Sequence, residues 1–184
     1  MGTTGLVSQA FGRNDSEAMK LLFKRGILTA LGVSLVLICF QNQFIDIGLY
    51  FFEVNEVAES LIHDYFVIRI WAAPATISLF VIIGWLLGAQ NSRLTLLLAI
   101  VINLFNAIIS YLLVWHFDLG IKGVAYGTLM AQYVGLITGI IILLTRYEFS
   151  STDFLSFNAT ISKGWKEFFT VNRDIFIRTQ YCLF

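Results

Sequence analysis

The chain has 184 residues, of which 58% are apolar and 13% are charged, and its mean hydropathy is +0.78. About a quarter of the residues in a typical soluble domain are charged, so this composition excludes an ordinary soluble protein and indicates a membrane protein. Twelve acidic residues balance twelve basic ones, and no basic patch stands apart from the residues expected to anchor the chain to the membrane, so nucleic-acid binding has no support.

The first third of the chain contains one predicted membrane span between two shorter apolar pieces. Residues 1–10 are small, hydroxylic and apolar, and because they are too few to cross a bilayer we expect the end of a helix there. A spanning helix is predicted over residues 18–40, since the lysine and arginine side chains near its start can extend to the membrane surface. Residues 41–43 interrupt the apolar pattern, and residues 44–52 are predicted to lie at the membrane interface.

A single long helix is predicted over residues 55–90, of which residues 66–88 are long enough to cross the membrane. Asn55 is its predicted amino-terminal cap. Pro74, the only proline of the chain, removes one main-chain hydrogen bond and is predicted to kink the helix. Arg69 is a charge well inside the span, where it either extends to the surface or meets an anionic group.

The next span, residues 94–115, carries no charge but has three polar residues in its middle. At 100° per residue, Asn103, Asn106 and Ser110 fall within an arc of about 60° on one face of a helix. The span is therefore apolar all round except for one polar stripe. We expect this stripe to line a cavity for a substrate or an ion.

A further span is predicted over residues 121–145, and small residues recur in it at every fourth position. They form a ladder that lets another helix approach closely: Gly123, Gly127, Ala131, Gly135 and Gly139. Thr128 and Gln132 form a second polar stripe beside this ladder. The sequence therefore predicts helix packing through the small residues and a second polar lining beside them.

The distribution of charge predicts the orientation of the spans. Nine lysines and arginines lie in or near the loops 11–25, 89–93 and 146–174, whereas the alternate loops 41–65 and 116–122 hold only one lysine. By the positive-inside rule, the first three loops are cytoplasmic. This alternation requires four spans, and we expect a multi-pass protein of the cell inner membrane.

The sequence contains no pattern that is typical of an enzyme or a metal centre. His63 and His116 are isolated, and Cys39 and Cys182 have no metal-binding spacing, so the cysteines are predicted to be buried thiols. Zinc-protease, hydrolase and phosphate-loop motifs are all missing from the chain. We therefore expect no catalytic residue, no metal and no cofactor.

Several stretches together resemble the multidrug and toxic compound extrusion (MATE) transporters, in particular their DinF-like branch. The stretches are MGTTGLVSQAFG at residues 1–12, IRIWAAPA at 68–75, GWLLGAQNSR at 84–93, the Asn103 and Asn106 pair, GVAYGTLMAQY at 123–133 and VNRDIFIR at 171–178. Their order follows that of the family over almost the whole chain.

The resemblance implies an all-α, polytopic transmembrane helix bundle, of which this chain covers the end of helix two to the start of helix seven out of twelve. Residues 1–146 would form a partial amino-terminal lobe, residues 147–174 a cytoplasmic linker between lobes, and residues 175–184 the start of the next helix. The first helix and the carboxy-terminal lobe would be missing partners. Family members expel cationic or amphipathic compounds by alternating access, driven by protons or sodium ions.

The resemblance also assigns roles to the polar residues. Asn106 matches an asparagine of helix five and Thr128 a threonine of helix six, which line a cavity implicated in cation coupling. Ser110 stands where an aspartate is usual, and Gln132 stands where DinF-like sequences often have glutamate. A hydroxyl or an amide does not take up a proton at physiological pH, so the coupling charge would have to lie on the missing first helix.

Three functional hypotheses follow. The first is a cation-coupled secondary transporter for small molecules, against which the same polar residues could serve only to join helices by hydrogen bonds. The second is a flippase for a lipid-linked substrate in the same superfamily, which would need several cationic cavity residues where only Arg69 is available. The third is a non-transporting membrane packing or assembly protein, or an inactive gene remnant.

Overall fold

The computed structural model of the protein describes residues 2–51, 55–147 and 149, and within these residues it contains helices and no strand. The described helices are, in chain order, α1 (Gly2–Gly12), α2 (Ser16–Cys39), α3 (Gln41–Phe51), α4 (Glu56–Ile70), α5 (Ala73–Gly88), α6 (Ser92–Trp115) and α7 (Gly120–Arg146). The all-α fold predicted from the sequence is confirmed. The predicted linker and the predicted start of a further helix lie outside the described residues, apart from Tyr147 and Phe149.

Three of these helices, α2, α6 and α7, are each long and apolar enough to cross a membrane. The α4 and α5 helices pass the same test as a pair, although they are bent by 54° where they meet. The described residues therefore provide three candidate spans, or four if the bent pair is one span. The sequence predicted four spans over closely similar residues.

The region predicted as one helix, residues 55–90, consists of two helices, which corrects that prediction. The first helix ends at Ile70 and the second begins at Ala73. Pro74 has no N–H to donate to the carbonyl of Ile70, and its ring crowds that carbonyl. The proline therefore interrupts the helix four residues ahead of itself, and the predicted change of direction takes the form of a break with a bend of 54°.

The ends of α2 and α4 settle three smaller predictions. The Asn55 side chain caps α4 by accepting a hydrogen bond from the amide of Ala58 at 2.8 Å, so the predicted cap is confirmed. The α3 helix already begins at Gln41, inside the segment predicted as an interruption. Cys39 is exposed, and the prediction that it is buried was wrong, because the outer face of a spanning helix can meet lipid instead of protein.

The helices pack as two compact units, and four of the helices contribute to both. One unit comprises the described residues of Met1–Thr29, Phe80–Thr95 and Ile140–Phe184. The other comprises those of Ala30–Leu79 and Leu96–Gly139. We call them the first and the second unit.

Trp85 lies at the centre of the first unit, with 1% of its surface exposed. Its ring is in edge-to-face contact with three aromatic rings: Phe23 at a centroid distance of 6.4 Å, Tyr147 at 4.8 Å and Phe149 at 5.4 Å. Because apolar burial gives little driving force inside a bilayer, close contacts of this kind carry much of the packing energy. The Trp85 cluster therefore joins α2, α5 and the residues that follow α7.

Two glycines of α5 bring α1 into close contact with it. A Cβ at Gly88 would lie 2.7 Å from Cβ of Val7 and 2.8 Å from the carbonyl oxygen of Thr4. One turn earlier, a Cβ at Gly84 would lie 3.3 Å from the hydroxyl of Thr4. Gly84 and Gly88 form a GxxxG pair, which permits close approach between membrane helices. Their spacing thus indicates a close helix contact, and the structure identifies α1 as the partner.

A tight turn joins α5 to α6, and its polar groups are satisfied locally. Gln90 adopts a left-handed conformation with φ of 56°, which ends α5. Asn91 follows, and its Oδ1 accepts a hydrogen bond from the amide of Leu94 at 3.3 Å. Its Nδ2 donates to the hydroxyl of Tyr147 at 3.0 Å. Asn91 therefore caps α6 and also binds the first residue after α7.

Candidate functional site in the seam between α6 and α7

In the second unit, α6 and α7 lie side by side as an antiparallel pair. The contacts run in opposite directions along the two helices: Gly123 against Leu113, Gly127 against Ser110, and Gly135 against Ile102. A Cβ at Gly123 would lie only 3.0 Å from the carbonyl carbon of Leu113. The glycines of α7 therefore allow main-chain contact that no larger residue would permit.

The predicted ladder of small residues is buried along its whole length, at Gly123, Gly127, Ala131, Gly135 and Gly139. Ala131 has no exposed surface at all. The closest approach is at Gly127, where an added Cβ would collide with the side-chain oxygen and the main chain of Ser110. The ladder thus faces α6 at Gly123, Gly127 and Gly135, and it sets the distance between the two helices. We call this line of contact between α6 and α7 the seam.

Asn106 and Ser110, one turn apart on α6, are hydrogen-bonded to each other. The Ser110 hydroxyl donates to Oδ1 of Asn106 at 2.9 Å. On a helix, Asn106 lies between Ile102 and Ser110, within an arc of about 80° that includes both. Since both neighbours contact α7, Asn106 lies in the seam, level with Ala131 of α7.

The other three predicted residues lie beside the seam, and helix geometry places them on the same side of it. Asn103, Thr128 and Gln132 each follow a seam residue directly, and one residue further along a helix is a rotation of 100°. For two antiparallel helices, this rotation carries both chains to the same side of their contact. In agreement with this, Asn103 is exposed and Thr128 and Gln132 are half-buried, while the ladder is buried.

Two of these side chains bind their own helix. Nδ2 of Asn103 donates to the carbonyl of Ala99 at 2.9 Å, and the Thr128 hydroxyl donates to the carbonyl of Val124 at 2.9 Å. These bonds leave Oδ1 of Asn103 without a hydrogen-bond donor among the described residues, and the same holds for the Gln132 amide. Asn103, Thr128 and Gln132 therefore present amide and hydroxyl groups, and no titratable group, to whatever lies beside them.

The structure thus sorts the five predicted cavity residues into two sets. Asn106 and Ser110 are in direct contact and belong to the packing between helices. Asn103, Thr128 and Gln132 share the open side of the seam. The sequence pattern found the polar positions, but it did not distinguish the sets because the distinction depends on which face of α6 contacts α7.

A pocket of about 470 Å³ lies elsewhere in the second unit, between α3 and α4. Its lining consists of two apolar residues and five polar ones: Ile45, Leu49, Asp46, Glu59, Ser60, His63 and Asp64. None of the five predicted cavity residues takes part in it. Arg69, at the other end of α4, is half-buried and makes no ion pair within the described part of the chain.

Two polar contacts of α7, one with α4 and one with Trp71 directly after it, were not predicted. Nζ of Lys122 lies 3.0 Å from Oδ2 of Asp64. The Tyr133 hydroxyl donates to the carbonyl of Trp71 at 3.0 Å. Opposite charges at 64 and 122 were visible in the sequence, but they are distant along the chain, and only the fold brings them together.

The MatE family model matches residues 1–112, which is more than half of the chain. The chain belongs to the MatE family. The resemblance to MATE transporters that the sequence motifs indicate is therefore confirmed, and with it the class of protein, a membrane transporter family.

Curated relatives lead to the same family. The DNA damage-inducible protein F of Escherichia coli (strain K12) is 27% identical over 179 residues, which are 97% of this chain and 39% of that protein. Multidrug and toxin extrusion protein 1 of Xenopus tropicalis is 25% identical over 151 residues, 80% of this chain and 25% of that protein. The chain thus spans about two-fifths of the length of the bacterial relative and a quarter of that of the frog relative.

Solved structures share the fold. An inward-facing multidrug resistance MATE family transporter of the MOP superfamily superposes with a TM-score of 0.81 at 17% identity, over 94% of this chain and 38% of the other. A MOP superfamily transporter from Pyrococcus furiosus, described as having a binding pocket of reverse polarity, gives a TM-score of 0.77 at 18% identity, over 92% and 37%. These likenesses confirm a polytopic helical membrane bundle.

Proposed function

We propose that this chain is part of a secondary active transporter that exports small cationic or amphipathic molecules across the cell inner membrane by alternating access. Membership of the MatE family supports the class of activity. The basic loops 11–25, 89–93 and 146–174 would face the cytoplasm, and the first helix and the carboxy-terminal lobe would complete the protein.

Asn103, Thr128 and Gln132 lie on the same side of the contact between α6 and α7, and this observation extends the proposal to particular residues. Uncompensated amide groups are costly in hydrocarbon, so they favour a position beside a water-filled or ligand-filled space. We infer that these three side chains line the substrate or ion cavity. The Ser110 hydroxyl donates to Oδ1 of Asn106, and both residues lie on the face of α6 that contacts α7, which favours a role for them in joining the two helices.

Coupling to protons or sodium ions is part of the proposal, but the described polar stripe lacks a carboxylate that could exchange a proton. Ser110 occupies the position at which family resemblance leads one to expect an aspartate. We therefore assign Asn103, Thr128 and Gln132 to substrate contact or to sodium coordination through neutral oxygens. The titratable coupling group is expected in the segment that corresponds to the first helix.

The experiment is dye retention in efflux-deficient cells that express the full-length protein containing this chain. Export predicts low retention of a cationic dye, which rises when the proton and sodium gradients are collapsed. Thr128→Val, Asn103→Ala and Gln132→Leu should each raise retention. Thr138→Val is the matched control, because its hydroxyl also bonds its own helix, at 2.8 Å to Val134, and it is rotated by about 80° from Thr128.

Equal retention with and without expression of the wild-type protein would contradict the transport proposal. If the wild type exports the dye and the variants at Asn103, Thr128 and Gln132 all export it equally well, the cavity assignment is wrong while the transport activity stands. Loss of export in Thr138→Val to the same extent as in Thr128→Val would also remove the assignment, because any threonine on α7 would then have the same effect.

A further inference from the structure

The break between α4 and α5 is a point at which a membrane-spanning segment changes direction. The two helices are bent by 54° across Trp71 and Ala72. Pro74, the second residue of α5, has no N–H, so the carbonyl of Ile70 has lost its helical partner. Sharp bends of membrane helices at proline are tolerated where other groups satisfy the freed carbonyls.

The carbonyls around the break have different partners. The carbonyl of Arg69 accepts from the amide of Ala72 at 3.0 Å, and that of Ala72 accepts from the amide of Thr76 at 2.8 Å. The carbonyl of Trp71 receives no main-chain amide within the described residues; its donor is the hydroxyl of Tyr133 on α7, at 3.0 Å. The hydrogen bond at the centre of the break thus comes from another helix.

This bond matters because of where the break lies. The 16 residues of α5 extend roughly 24 Å, which is less than the ~30 Å of a bilayer's hydrocarbon core, so a break at its start lies within the membrane. Trp71 is 54% exposed and Tyr133 is 37% exposed, so both side chains face the surroundings of the bundle. A carbonyl in hydrocarbon has no water to bind, and the Tyr133 hydroxyl takes the place of water.

Other contacts identify α7 as the element against which α4 is held. Lys122 pairs with Asp64 at 3.0 Å, and Tyr133 binds the carbonyl of Trp71 further along both segments, so α4 and α7 run in the same direction. Below the break, Leu79 of α5 lies 3.3 Å from where a Cβ of Gly135 would be. The first half of α5 is therefore packed tightly against α7, whereas the two contacts that join α4 and Trp71 to α7 are polar.

We propose that α4 is an arm hinged at Trp71 and Ala72, and that the Tyr133 hydroxyl is the latch that holds it bent. When the latch is released, the Trp71 carbonyl accepts the amide of Ala75, its partner in a continuous helix, and the span becomes straighter. The inference rests on the proposed transport function for its purpose, since alternating access needs an element with two arrangements. The hinge itself is measurable without transport.

The test is a distance measurement across the hinge by pulsed electron spin resonance, in the full-length protein reconstituted into lipid. Spin labels are placed at Leu61 on α4 and Leu87 on α5, both exposed, after replacement of the native cysteines, which include Cys39 and Cys182, by serine. Straightening a 54° bend lengthens this distance by roughly 4 Å at 1.5 Å per residue. Tyr133→Phe should raise the population of the longer distance about threefold, from the average strength of a hydrogen bond between membrane helices.

The matched control is Tyr126→Phe, which removes the same atom from an exposed tyrosine of the same helix that has no hydrogen bond among the described residues. Its distances should equal those of the wild type. Pro74→Ala restores the missing N–H and should shift the distance to the longer value, which verifies that the labels report the bend. If Pro74→Ala shifts the distance and Tyr133→Phe leaves it at the wild-type value, the latch is refuted.

The latch and the transport function are contradicted by different experimental results. A population shift in Tyr133→Phe in a protein that exports no dye would support the hinge and contradict the proposed transport. Dye export by the wild type, together with identical distances in Tyr133→Phe and Tyr126→Phe, would support transport and contradict the latch. A shift of equal size in Tyr126→Phe would contradict it too, because the effect would then not depend on the Trp71 carbonyl.

Discussion

The indole Nε1–H of Trp85 donates a hydrogen bond to the main-chain carbonyl of Met19 at 3.0 Å, and both groups are buried. The bond ties α5 to α2 across a chain separation of 66 residues. Because Met19 lies in the first turns of α2, the bond also fixes the helix close to its start.

Trp85→Phe should therefore destabilise the protein. The change removes the donor, leaves a buried carbonyl unsatisfied and opens space in the aromatic cluster, and together these cost about 1–3 kcal/mol. Thermal unfolding of the full-length protein in detergent measures the loss. Trp115→Phe is the control, because Trp115 is 76% exposed and its replacement should leave the melting temperature nearly unchanged. Equal melting temperatures for both variants would contradict the role of the bond.

Gly127→Ala should weaken the contact between α6 and α7. Its Cβ would collide with Ser110, and overpacking of this kind typically costs about 1–3 kcal/mol. Gly32→Ala is a sharp comparison: Gly32 is also within a helix, but a Cβ there meets no atom within 4 Å. The control should gain roughly 0.5–1 kcal/mol from helix propensity. Opposite shifts in melting temperature are expected, and shifts of the same sign would contradict the packing.

The Ser110–Asn106 bond should appear as a positive coupling in a double-mutant cycle. Ser110→Ala, Asn106→Ala and the double variant are compared by the free energy of unfolding. Hydrogen bonds within membrane bundles average about 0.6 kcal/mol and reach about 1.7 kcal/mol, so a coupling in this range is expected. A coupling of zero would show that the two side chains act independently, and Asn106 would then be better assigned to the cavity.

The Lys122–Asp64 pair should contribute little to stability, and its contribution should fall with salt. Its side chains are 49% and 37% exposed, and such pairs are typically worth about 0.2–1 kcal/mol. Lys122→Met and Asp64→Asn, with their double variant, give the coupling at low and at high salt. A coupling well above this range, or one that does not change with salt, would indicate that the pair is shielded from solvent in the complete protein.

Much of the fold could be predicted from the sequence, because long apolar runs and their polar interruptions determine where membrane helices begin and end. The spans at α2, α6 and α7 were predicted within a few residues, and so was the cap at Asn55. The break at Ile70 was not predicted, since Pro74 indicates only that one main-chain hydrogen bond is missing. The groups that satisfy the freed carbonyls come from elsewhere in the chain, and the sequence does not identify Tyr133 as the donor to Trp71.

The candidate site was predictable only in part. The period of the helix placed Asn103, Asn106 and Ser110 on one stripe, and the four-residue spacing marked the ladder on α7. Which of the three faces the ladder depends on the register between two helices, and hydropathy carries no information about register. For Gly84 and Gly88 the four-residue spacing was visible in the sequence, but nothing in the sequence identified α1 as the helix that packs against them.

Tyr147 is held between the amide of Asn91 and the ring of Trp85, directly after the last turn of α7. The residue directly after α7 is therefore anchored to the turn between α5 and α6. A pull on the chain at this point would load the α5–α6 turn together with the last turn of α7. Whatever is joined to residue 147 is thus mechanically connected to the middle of the sequence as well as to the helix that precedes it.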